Sequence, residues 1–191
     1  MTASRKFDPA EANFSLGSLV QSLLSRIHKA AMCDFLQNFS TRAKVVVYSD
    51  PVEVVFVYQH FKSDNRSRNT DEKGLADIAI DLAMKNANET HAMYNELYSR
   101  TSDYGLQEKY MSCSKNYNDA IRDLEEVKYE LNNNRTKLIH VEINDALQEV
   151  NTCIRAFERD QIDPVKMDTA NERSKLLCYM VKFAAESLVQ K

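Results

Sequence analysis

The sequence predicts an all-α protein, an up-down-up-down four-helix bundle preceded by a divergent N-terminal region, and three observations carry that prediction. Helix breakers are scarce, with three glycines and three prolines in 191 residues. Apolar residues recur at spacings of three and four through the C-terminal two thirds of the chain. Two cysteines, Cys113 and Cys153, stand equally far before and after Asn133, in the polar turn Asn132-Asn133-Asn134-Arg135 that separates the two cleanest amphipathic stretches.

Residues 1–73 change character twice. Phe14 to Phe39 places Leu16, Leu19, Val20, Leu23, Leu24 and Ile27 on one side, as an amphipathic helix does. Val45 to Tyr48 and Val52 to Phe61 are rich in β-branched and aromatic residues and look strand-like in isolation, although a helical protein can also pack such segments as helix or irregular chain. Ser63 to Lys73 is polar and reads as a linker or loop.

The bundle is predicted over 74–191. Its first helix runs from about Gly74 to Arg100, with Leu75, Ile78, Leu82, Met93 and Leu97 inward, and stops before the turn signal Thr101-Ser-Asp-Tyr-Gly105. The second carries Leu106, Tyr110, Cys113, Tyr117, Ile121, Leu124, Val127 and Leu131 on one stripe. The third answers with Ile139, Ile143, Leu147, Val150, Ile154 and Phe157, flanked by Ala146 and Cys153. The fourth starts near Asp163-Pro164, an N-cap followed by proline at the first helical position, and continues through Ala170, Leu177, Val181, Ala184 and Leu188. Short connections make successive helices antiparallel neighbours.

Both helices rise about 1.5 Å per residue, so the symmetric placement of Cys113 and Cys153 sets them level across an antiparallel pair, where a disulfide needs little backbone movement. Closing that loop would stabilise the fold by about 4 kcal/mol in the chain-entropy model. The competing reading is a pair of reduced core cysteines that never join. Pairing Cys113 with Cys153 leaves Cys33 without a partner, and Cys178, within the apolar run Leu176-Leu-Cys-Tyr-Met180, reads as a buried, protonated core thiol.

Composition narrows the function. A net charge of −3 and a pI near 5.8, with no local Lys/Arg cluster, give no electrostatic reason to expect nucleic acid. No stretch approaches the roughly 20 apolar residues of a membrane span. The N-terminal residues lack an apolar core followed by a small-residue cleavage site, so no secretory signal is visible, which sits against a disulfide and its preference for oxidising compartments. Five Asn-x-Ser/Thr sequons, at Asn13, Asn38, Asn65, Asn88 and Asn134, would suit a secreted glycoprotein.

Catalytic and metal-binding patterns are missing from the sequence. There are no paired Glu-x-x-His motifs for a di-iron site, and His28, His60, His91 and His140 are scattered, as surface or boundary histidines are. Neither a phosphate-binding glycine loop nor a Gly-x-Ser-x-Gly elbow is present. Tyr110 and Tyr117 fall at core spacing and read as packing residues; Arg122-Asp-Leu-Glu-Glu and Lys128-Tyr-Glu read as solvated helix faces. No cofactor is expected, and no enzyme activity.

The stretch Cys113-Ser-Lys-Asn-Tyr117-Asn-Asp-Ala120-Ile-Arg-Asp-Leu124, followed by Ala146-Leu-Gln-Glu-Val-Asn-Thr152-Cys153-Ile-Arg-Ala-Phe157, resembles the plant invertase and pectin methylesterase inhibitor family, as does Lys73-Gly-Leu-Ala-Asp-Ile-Ala-Ile-Asp-Leu-Ala83 upstream. The resemblance implies a four-helix bundle with a disulfide between its second and third helices. It also implies a secreted, apoplastic, non-catalytic protein that occludes the substrate cleft of a carbohydrate-acting enzyme. Invertase inhibitors of the family carry Pro-Lys-Phe early in the third helix, where this chain has Thr136-Lys137-Leu138, which favours pectin methylesterase as partner over acid invertase. Asp119 and Thr152 match partner-binding positions of the family, whereas Lys115, Arg122 and Arg155 stand where some members have acidic residues, a sign change that alters on-rate and partner choice. The family's N-terminal hairpin has a disulfide of its own; alignment puts Val57 at its second cysteine and leaves Cys33 orphaned. A helical bundle that keeps the fold without a target is the remaining alternative.

Overall fold

The computed structural model describes residues 56, 59–68, 70–158 and 167–189. Four long helices dominate them: α1 (Glu72–Arg100), α2 (Tyr104–Asn132), α3 (Thr136–Glu158) and α4 (Asp168–Val189), with a 3-10 turn at Asn65–Arg68 ahead of α1. No strand occurs among the described residues. Each helix packs on two neighbours, closing the ring α1, α2, α3, α4 and back to α1. Cross-helix bonds give the directions. Asp81 meets Lys128 and Asn95 meets Ser114 across α1–α2, while Asn86 meets Ser174 and Tyr94 meets Asn171 across α1–α4. In both pairs the second partner number falls as the first rises, which defines the predicted up-down-up-down bundle.

Local chemistry sets the helix ends. Helix α1 starts two residues before the expected Gly74 and is capped by Asp71, its carboxylate accepting from the Gly74 amide at 2.9 Å, and Asp103 caps α2 in the same way through the Leu106 amide at 2.9 Å. A Cβ on Gly74 would lie 1.6 Å from the Thr70 hydroxyl, so glycine permits that close approach. At the end of α2 the Arg135 amide bonds to the Glu130 carbonyl and the Asn134 amide to that of Leu131, with Asn134 at φ 58°. This is a Schellman closure, with asparagine in the left-handed position that glycine more often fills. The expected start of the fourth helix at Asp163-Pro164 lies outside the described residues, as do Phe14 to Phe39, Val45 to Tyr48, Cys33 and His28.

The stripes of α2 and α3 enter the core as expected, with Leu106 and Ile154 at its margin; Ala146 and Cys153, expected on the flank, are fully buried. On α1 the inward face differs. Met93 is 42% exposed, and the buried stripe is Leu75, Ala76, Ile78, Ala79, Ile80, Ala83, Ala87, Thr90 and Tyr94. Small residues hold the 3.6-residue period there, and a search for large apolar side chains passes over them.

Two further expectations are corrected ahead of α1. The strand-like segment Val52 to Phe61 is helical at its described positions 56 and 59–61, and the Phe61 ring is fully buried in the bundle core. Phe56 meets His60, one helical turn on, with tilted rings 3.9 Å apart at their centroids, and lies under the Arg173 guanidinium of α4 at 3.6 Å. The expected linker is a fastened turn. Arg66 bonds Asp64 beside it at 2.8 Å, and Asp77 and Asp81 of α1 at 3.3 and 2.7 Å.

Candidate functional site

The α2–α3 hairpin brings the predicted site residues to one side of the bundle. The Cys113–Cys153 disulfide joins the two helices across a Cα separation of 5.0 Å, and both cysteines are fully buried. The level placement derived from the sequence is therefore what the structure contains. Lys115 and Asp119 follow Cys113 along α2, and Thr152 and Arg155 bracket Cys153 on α3.

Lys115, Arg122, Thr152 and Arg155 are exposed, and Asp119 is half-buried. Two local pairs form among them. Arg122 donates to the Asp119 carboxylate at 2.6 Å, and Arg155 donates to the Thr152 hydroxyl at 3.4 Å, while that hydroxyl donates to the Gln148 carbonyl at 2.8 Å. The pairs hold their side chains flat along the two helices.

Between them runs an acidic seam that the sequence reading did not isolate. Glu149 on α3 faces both the Asp119 carboxylate and the cations Lys115 and Arg122; burial, then Asp119 and Asp145, raise its pKa against those two cations. Asp123, read as part of a solvated face, is half-buried; desolvation and the carboxylates of Asp145, Glu142 and Glu149 raise its pKa to about 6. Glu142 is raised as well, first by burial and then by Asp145, Glu126 and Glu130. The seam arises from acids far apart in sequence on two different helices, which pairwise local spacing cannot show.

The run Lys128-Tyr-Glu is also corrected from a solvated face. Lys128 is half-buried and ion-paired with Asp77 at 3.0 Å and with Asp81, and Glu130 is 3% exposed, its carboxylate held by the Arg135 guanidinium at 2.8 Å. Only Tyr129 faces solvent, with Arg135 over its ring at 5.0 Å. Lys137 and Leu138 lie exposed in the first turn of α3, at the far end of the hairpin from the disulfide.

Beneath the face lies a rigid support. Asn171 on α4 is buried beside the disulfide; its side-chain oxygen accepts from the hydroxyls of Tyr117 at 2.9 Å and Tyr94 at 3.1 Å. Tyr94, Tyr110, Tyr117 and Phe157 surround it with ring centroids 5.6 to 6.3 Å apart. Tyr110 and Tyr117 are thus packing residues, as expected. Nothing in the sequence pattern singled out Asn171, since one polar residue on a helix of mixed composition carries no periodic signal. Cys178 is buried, and burial, with Asp123 adding to it, pushes its thiol up to about 12. His60 is exposed and His91 and His140 are half-buried; no group of three metal-ligating side chains occurs among the described residues.

A closed antiparallel ring of four helices, with a disulfide through its middle pair and a polar face laid over that bridge, defines a disulfide-braced four-helix bundle. The family model for plant invertase/pectin methylesterase inhibitors matches residues 56–184, and the chain belongs to that family. It is 31% identical over 123 residues to a pectinesterase inhibitor from Actinidia deliciosa; that match takes in 64% of this chain and 66% of the relative, so the chain spans just under two thirds of the relative's length. Among solved structures, a pectin methylesterase inhibitor from Arabidopsis thaliana superposes with a TM-score of 0.58 at 20% identity, covering 73% of this chain and 89% of that one. A mutant form of a pectin methylesterase inhibitor from Arabidopsis gives 0.59 at 22% identity, covering 71% and 88%. At those identities the superpositions speak for the fold.

Proposed function

We propose that this chain is a proteinaceous inhibitor of pectin methylesterase, without catalysis of its own, that docks the α2–α3 face on the enzyme and occludes its substrate cleft. The observation that carries the reading is the disulfide-levelled face itself, on a chain whose relative from Actinidia deliciosa is a pectinesterase inhibitor. Two helices of 29 and 23 residues, side by side, present roughly 40 by 20 Å, or about 800 Å², the area each partner gives to a stable complex. Covalent closure and the buried Asn171 hub keep that surface preorganised, so little ordering entropy is lost on docking.

Within the face, Asp119 and Thr152 are the direct contacts, and Lys115, Arg122 and Arg155 are rim cations that steer approach and choose between partners. The surrounding seam is acidic, so those three cations are local exceptions in its field. The protein is secreted and works in the apoplast, where an oxidising environment maintains the Cys113–Cys153 bridge. No described helix is long and apolar enough to cross a membrane.

The test is a titration of oxidised protein into a pectin methylesterase at mildly acidic pH, beside an acid invertase. Loss of esterase activity near equimolar protein is expected. Invertase inhibition alone would move the target to invertase, and full activity of both enzymes at large excess would leave a bundle without a target. Replacing Thr152→Lys is expected to weaken esterase inhibition about tenfold, roughly 1.4 kcal/mol, with the melting temperature unchanged.

A further inference from the structure

Three of the five sequons fall in the described residues, and the structure separates them. Asn88 sits in the middle of α1, its Nδ2 donating to the Met84 carbonyl at 2.8 Å, and Thr90 is buried with its hydroxyl on the Asn86 carbonyl at 2.9 Å. Asn65 is exposed, but Ser67 is 3% exposed and its hydroxyl is tied to the Asp64 carbonyl at 2.8 Å. Asn134-Arg-Thr136 differs on each point. Asn134 is exposed in the α2–α3 turn at φ 58°, and Thr136 is half-buried at the first position of α3. Lys73 donates to Asn134 Oδ1 at 2.8 Å, leaving Nδ2 uncommitted among the described residues.

We infer that Asn134 is an N-glycosylation site, the acceptor of an oligosaccharide at the tip of the α2–α3 hairpin. This rests on the secretory reading above. The donor class is an oligosaccharide on a polyprenyl diphosphate, delivered by a transferase of the secretory lumen. Nδ2 of Asn134 bonds to the anomeric carbon, and the bond from that carbon to the diphosphate oxygen breaks. The lipid diphosphate departs with the electron pair, the amide proton passes to a base of the transferase, and nothing is oxidised or reduced.

Timing favours the turn over the helix. A helix forms locally within about a microsecond, which withdraws Asn88-Glu-Thr90 early, whereas Asn134 stands outside both helices in the turn that joins them, with its backbone amide and not its side-chain nitrogen in the closing bonds. The attached glycan has room. Leu138 and Tyr129, close to it along the chain, are large and exposed, the second with the Arg135 guanidinium over its ring. Asn134 also stands about 27 Å along α3 from Thr152, at the end of the hairpin remote from the proposed contact residues.

To test this, the full chain is secreted from plant cells behind a cleavable leader, and Cys113–Cys153 oxidation in the recovered protein confirms lumenal passage. Peptide glycosidase digestion in heavy-oxygen water is expected to convert Asn134 to labelled aspartate. Asn134→Gln and Thr136→Ala should each lose the mass of one glycan, the second while keeping the asparagine and its turn. Secreted, disulfide-bonded protein with unlabelled Asn134, or a Thr136→Ala variant that keeps its glycan there, overturns the proposal. Inhibition is measured on the same samples. Intact esterase inhibition with a bare Asn134 sinks the glycosylation alone, and a glycosylated Asn134 without inhibition sinks the functional reading alone.

Discussion

The α2–α3 hairpin and the α1–α2 pair are both antiparallel helix pairs in one bundle, yet they are fastened by opposite means. The first is joined by a buried covalent bridge backed by the Asn171 hub. The second carries a half-exposed charge cluster in which Lys128 of α2 and Arg66 of the preceding turn share Asp77 and Asp81 of α1. A disulfide acts mainly by restricting the unfolded chain and is indifferent to salt. Ion pairs near solvent are screened by salt and lost in acid. The hairpin that presents the candidate face therefore has the fastening that neither salt nor acid weakens, and the segment leading into the bundle has the adjustable one.

The strongest way to break this contrast is Cys153→Ser, which removes the bridge and is expected to cost about 4 kcal/mol in denaturant unfolding for a pair 40 residues apart. An unchanged midpoint would show that the bridge does not hold the hairpin. Next comes Asn171→Leu, which deletes the acceptor shared by the Tyr94 and Tyr117 hydroxyls and should cost about 2 kcal/mol by thermal melting, with or without salt.

Lys128→Met tests the other fastening. Its expected cost is about 1 kcal/mol at low ionic strength, shrinking towards zero near 1 M salt. Burial alone would raise the pKa of Asp81, but bonds from Lys128 and Arg66 overcome that and hold it below the ordinary carboxylate value. The cluster's stabilisation is thus present above the unfolded pKa and disappears as pH falls through the folded one.

Asp123 sharpens the comparison because it runs the other way. Its folded pKa, about 6, lies above the reference 3.8, so the folded state favours the protonated acid. Its contribution is fully present below the unfolded pKa and is lost as pH rises through about 6. Asp123→Asn should therefore raise stability at neutral pH by about 1 kcal/mol after solvent screening, with the gain closing as pH falls from 6 towards 4. Melting curves across that range check the sign; a gain that grows in acid would mean the seam is not mutually repulsive.

How far each region was legible in the sequence follows from the same contrast. The hairpin announces itself because both arms are long, carry large apolar residues in regular stripes, and set their cysteines symmetrically about the turn. The positions of the face above it, Lys115, Asp119, Arg122, Thr152 and Arg155, came from the family resemblance and not from any spacing in the chain. The segment ahead of α1 was less legible. Its β-branched residues favour strand locally, and helix at 59–63 together with burial of Phe61 reflects packing that no local preference encodes.

The sequence by itself determined the helix count from Gly74 onward, the antiparallel order and the level placement of Cys113 and Cys153, because periodicity and short connections are one-dimensional signals, and its motifs carried the family resemblance. Tertiary structure alone decided that Tyr94 rather than Met93 enters the core, that Asn171 links two tyrosine hydroxyls beside the disulfide, and that Asp123 meets acids of α3. It also left the amide nitrogen of Asn134 open while Lys73 holds its oxygen. These are choices of which flank of one helix meets which flank of another. They depend on helix rotation and axial register across the bundle, and a spacing along one strand of residues contains neither.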